Sequence, residues 1–140
     1  MDDASLLSAF EDCSYPFSEW NHRAHVRVAF LFLARHEPDE AMDRMRSGIR
    51  AYNAAHHVPE GPRSGYHETT TQAFMRLIHA AMQADSARAD SEAFCAAHPE
   101  LMTRQVLLQY YSRECILSIE AKSRFVEPDL APLTRKPAAT

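Results

Sequence analysis

Apolar residues recur at helical spacing through most of the chain. Leu6, Leu7 and Phe10 mark a first short helix over Ala4 to Asp12, which Tyr15-Pro16-Phe17 ends because proline discourages helix at the residue before it. Ser18 to Arg35 contains neither Gly nor Pro and reads as one long helix with Ser18 as its N-cap. Its apolar arc centres on His22, His25 and Ala29, flanked by Val28 and Phe32 on one side and by Val26, Phe30 and Leu33 on the other. Arg23, Arg27 and Arg35 lie toward the opposite, wet side.

Glu37-Pro38-Asp39-Glu40 restarts the chain as a third helix, with proline in its first turn and two acids where the helix dipole favours them. Ala41, Met42, Met45, Ile49 and Tyr52 form its stripe. The segment from His57 to Tyr66 holds two of the three glycines and two of the eight prolines, so it must be a loop. That loop delivers Tyr66-His67-Glu68-Thr69 to a fourth helix, whose inner face is Phe74, Leu77, Ile78 and Ala81. Asp85 to Asp90 reads as a solvated link, Ser91 to Ala97 as a fifth helix, and Leu101 through Cys115 as a sixth. Ser118 and Glu120 begin a further short helical turn. From Phe125 the chain turns extended. No strand pattern appears, so the fold class is all-α: a single-domain bundle of about five to six helices over residues 1–133 with an extended C-terminal arm, and a loose tail over 134–140.

Composition narrows the function classes. A length of 140 residues with 46% hydrophobic side chains suits one domain with an ordinary core, and a net charge of -4 argues against a nucleic-acid partner. No window approaches the roughly 18 apolar residues that a membrane span requires, and the acidic start Met1-Asp2-Asp3 is unlike a secretory signal. The expected address is the cytoplasm. Three widely spaced cysteines define no disulfide framework. Histidine is the enriched chemistry, with eight copies.

His22 and His25 leave one helix face a turn apart, and His67 sits at the mouth of another helix on its core side. The three converge as candidate ligands of a transition metal, with Glu68 as fourth ligand or general base and Tyr66 beside it as a catalytic hydroxyl. Arg63, Thr69, Tyr110, Tyr111 and Arg113 are candidates to hold a small-molecule substrate through a bidentate fork or hydroxyl donors. The competing reading has the histidines hydrogen-bonded to buried carbonyls, with Glu68 simply favoured at a helix N-terminus.

Trp20-x-His22-x-x-His25, Tyr66-His67-Glu68-Thr69, Tyr110-Tyr111-Ser112-Arg113-Glu114 and Phe125-Val126-Glu127-Pro128-Asp129-Leu130 together resemble a family of small bacterial all-helical proteins. The resemblance groups these segments into one fold and carries no reaction with it. A looser, architectural likeness is to metal-binding four-helix proteins of the damage-inducible type. The expected function is a metal-dependent enzyme on a small molecule, with iron or copper oxidoreductase chemistry ahead of zinc-dependent hydrolysis. The alternative is a non-catalytic metal- or ligand-binding or pH-sensing module. Sequence leaves the oligomeric state open, a homodimer included.

Overall fold

The computed structural model describes residues 1–85 and 90–133. Its described elements are helical: α1 (Asp3–Glu11), α2 (His22–Arg35), α3 (Pro38–Ala55), α4 (Glu68–Ala84), α5 (Ser91–Ala97), α6 (Arg113–Ile116) and α7 (Ile119–Ser123), with 3₁₀ turns over Phe17–Glu19, Pro99–Met102 and Arg104–Gln109. Among the described residues no helix is long and apolar enough to cross a membrane. Most of the link expected over Asp85 to Asp90, and the expected tail over 134–140, lie outside the described residues.

The centre of the bundle is α2, which packs on α3, α4 and α5. Its run Val26, Val28 to Leu33 is buried almost all round, as a central helix requires. One expectation fails at its start. Ser18 does not cap a helix beginning there. The chain makes a 3₁₀ turn over Phe17–Glu19, and Asn21 becomes the N-cap, its side chain accepting the Ala24 N–H at 2.9 Å. The reason is packing, since Trp20 turns away to stack on Phe10 at 4.9 Å and to lie 5.0 Å from Tyr52. His22 and His25 therefore occupy the first turn of α2.

Arg27 is also misplaced by periodicity. It is buried, donating from Nε to Ser91 Oγ at 2.7 Å and from Nη2 to the Met1 carbonyl at 2.8 Å, beside Asp3 at 3.3 Å. Asp3 in turn accepts from Ser91 N and Oγ. This network ties α1, α2 and α5 together, and a helical wheel has no access to it.

The expected sixth helix is replaced by two 3₁₀ turns and the four-residue α6. Pro99 starts one turn, Thr103 caps the next, and Ser112 caps α6 by accepting Cys115 N–H, so three local stops divide the segment. The arm after α7 is extended as expected and held by side chains. Tyr111 donates to the Val126 carbonyl at 2.6 Å, and Thr69 Oγ1 donates to the Arg124 carbonyl while accepting Val126 N–H.

Gly48 lets α3 approach α1. A Cβ there would meet Phe10 Cε2 at 2.5 Å, and the Phe10 ring is fixed between Trp20, Phe32 and Tyr52. Alanine gains about 1 kcal/mol of helix propensity over glycine, but overpacking a fixed ring costs about 1–3 kcal/mol. Gly48→Ala is thus expected to lower the urea midpoint with unchanged m-value, a net loss of about 1 kcal/mol. A raised midpoint would mean that Phe10 moves freely.

Candidate functional site

His22, His25 and His67 line one open cavity of about 870 Å³ between α2, α3, α4 and the α6–α7 segment. Its walls are largely apolar, including Trp20, Ala29, Ile49, Phe74, Met75 and Ile78. Phe17, Leu117 and Ile119, all exposed, also line it.

Each imidazole is anchored by main-chain oxygen. His22 Nε2–H donates to the Leu101 carbonyl at 2.9 Å, and His25 Nδ1–H donates to the Asn21 carbonyl at 2.9 Å. A carbonyl only accepts, so those nitrogens carry the protons, and in the neutral rings His22 Nδ1 and His25 Nε2 are left with lone pairs. Neither has a hydrogen-bond partner among the described residues. Burial lowers the pKa of both, to about 4 for His25, with the Arg104 guanidinium adding to the effect. His25 also packs on Trp20, ring centroids 3.9 Å apart, and His22 meets Phe74 edge-on at 4.6 Å.

His67 is fully committed. It is the N-cap of α4, with Nδ1 accepting Thr70 N–H at 3.0 Å, and its Nε2–H donates to the Ile116 carbonyl at 3.0 Å. The loop before it reaches this position through Gly65, whose φ of +91° is readily reached only by glycine, and a side chain there would collide with the Glu60 carboxylate. Glu60 accepts Tyr66 N–H and an ion pair from Lys122, and Lys122 donates to the Tyr66 carbonyl at 2.7 Å. These contacts clamp the end of the loop against α7.

Glu68 is buried and does not face the cavity. Its Oε1 accepts from Arg46 Nε at 2.9 Å and Tyr66 Oη at 2.7 Å, and its Oε2 from Arg46 Nη2 at 2.6 Å and Gln72 Nε2 at 2.8 Å. Four donors fill a carboxylate, and Arg46 above all holds its pKa at about 2. Tyr66 donates into that pair, and burial followed by the Glu68 hydrogen bond pushes its pKa well up.

The expected metal centre is not assembled in this arrangement. Among the described residues no group of three or more His, Cys, Asp or Glu is placed to hold one ion. His67 has no lone pair free, and Glu68 is spent on Arg46, Tyr66 and Gln72. Of the substrate candidates, Arg63 lines the cavity, whereas Thr69, Tyr110, Tyr111 and Arg113 do not. Thr69 and Tyr111 hold the arm, the Tyr110 carbonyl accepts Leu130 N–H, and Arg113 is exposed at the start of α6. Tyr110 and Tyr111 share a reason: once Leu101 to Cys115 breaks into short turns, both engage the arm.

Sequence reasoning missed Arg104, Lys122 and the Trp20 stack. Arg104 had no periodic signal, and only the Thr103 cap marks its turn. Comparison with known proteins finds no matching family model, curated protein or solved structure.

Proposed function

We propose that this protein binds an apolar small molecule in the cavity where His22, His25 and His67 meet. The observation that carries the reading is a cavity of about 870 Å³ with a largely apolar lining that includes His22 and His25, two imidazoles each using one ring nitrogen on a main-chain carbonyl. Ligand sites combine concave apolar walls of roughly 300–1,000 Å³ with a few convergent polar groups that fix orientation. The protein is read as a binding module, and any turnover would use His25 Nε2 or His22 Nδ1 as the proton acceptor.

A second reading keeps the metal-dependent enzyme. In its favour, a carbonyl anchoring one ring nitrogen of His22 and of His25 is the usual outer support of a metal ligand. Against it stand the committed state of His67 and Glu68 and the positive charge of Arg104, which disfavours a further cation at all three rings. Iron, copper or zinc would have to complete its shell from a bound ligand.

Titration with N-phenyl-1-naphthylamine, a neutral fluorescent probe, tests the first reading. Saturable binding of one probe per chain is expected, with energy transfer from Trp20, the chain's single tryptophan. Thr70→Phe, which fills the cavity at a side chain of α4, is expected to weaken binding at least about fivefold, a loss of about 1 kcal/mol. Unsaturable binding, or equal affinity in the variant, would refute a cavity site. If zinc, iron or copper raises the melting temperature of the parent and not of His22→Ala, the metal reading takes precedence.

A further inference from the structure

This inference rests on the cavity reading and names the head group of its occupant. Among the described residues no Asp or Glu lines the cavity, although the chain carries a net charge of -4, whereas Arg63, Arg104 and Lys122 all line it. The cationic lining is therefore a local feature, against the charge of the whole. Lys122 is already used by Glu60 and the Tyr66 carbonyl. Arg104 has no acidic partner among the described residues, and its charge acts on His22, His25 and His67 alike. Arg104 lines the same cavity as the three rings, and a guanidinium is a planar fork matched to an oxyanion.

The two imidazole lone pairs set a second requirement. They accept hydrogen bonds and would repel the bare oxygens of a phosphate or sulfate placed against them. A head that carries one anionic group and an adjacent donor satisfies both demands. We propose that the cavity binds an apolar monocarboxylate with an N–H or O–H group beside the carboxylate, of which N-acyl amino acids are the simplest members. The carboxylate sits on Arg104, the donor on His22 Nδ1 or His25 Nε2, and the apolar chain along Ala29, Phe74 and Ile78.

The test compares N-dodecanoylglycine, dodecanoate and the uncharged N-dodecanoylglycinamide by calorimetry and Trp20 emission, each below its aggregation threshold. N-dodecanoylglycine is expected to bind about tenfold tighter than the amide, the scale of one charge-assisted hydrogen bond, and severalfold tighter than dodecanoate. Arg104→Gln should abolish most of the preference over the amide by weakening acid binding several-fold more than amide binding. Equal affinity for acid and amide, an advantage of dodecanoate over N-dodecanoylglycine, or an equal loss of both in Arg104→Gln, would overturn the head-group assignment with the cavity site intact. If even the amide fails to bind, or binds Thr70→Phe as well as the parent, the cavity reading itself is refuted.

Discussion

Glu68→Ala is expected to lower the unfolding free energy by about 3 kcal/mol. The substitution strands Arg46 and Tyr66 together, and breaking one partner out of a buried ion pair costs about 3–5 kcal/mol because the other charge is left desolvated. The low end applies because the Arg46 side chain is 26% exposed and keeps an ion pair to Asp43. Urea unfolding measures the loss. The double variant Glu68→Ala with Arg46→Met should recover part of it, since removing both charges removes the uncompensated one. A cost under about 1 kcal/mol would show that water reaches this pair freely, as for surface pairs. The consequence for function is that Glu68 supports the wall: it positions Tyr66 and the first turn of α4, and with them His67.

Acid is expected to remove about 2 kcal/mol of stability by pH 5 and about 3 kcal/mol by pH 4 through His25 alone. The folded protein holds this ring at about 4, against an ordinary 6.5, because charging it would bury a cation. The unfolded chain thus binds more protons throughout that interval, so stability is complete above pH 6.5 and falls as pH drops toward 4. His22 and His67 shift in the same direction, chiefly by burial, and steepen the fall. Glu68 acts in a lower window, between the ordinary carboxylate range and about 2. Urea midpoints at pH 7.5, 6, 5 and 4.5 check the prediction, with His25→Gln expected to flatten the curve. A parent curve level from pH 7 to 5 would mean the rings charge without leaving their sites.

The helical class, the starts of α3 and α5 and the loop before Tyr66 were legible because each is written locally, in proline, capping residues or glycine. Joining His22, His25 and His67 around one space was legible too, since each lies on the core side of its helix. The roles of those rings were not. Whether an imidazole is a free ligand or a peg depends on which carbonyl reaches it, and the carbonyls of Leu101 and Ile116 arrive from 79 and 49 residues away. Glu68 illustrates the same limit. Its neighbours at Tyr66 and Gln72 are local, but Arg46, which decides its state, comes from the middle of α3. Arg27 read as a surface residue because the pattern of α2 carries no record that α1 and α5 close over it.

His67 joins two parts of the molecule that share no covalent neighbour: one ring nitrogen secures the first turn of α4, and the other fastens the stretch leading into α7. A single proton, or a single alkyl group, added at Nδ1 would release Thr70 N–H while leaving the Nε2–H donor on the Ile116 carbonyl. The helix end would then fray on its own, with the cavity rim still fastened.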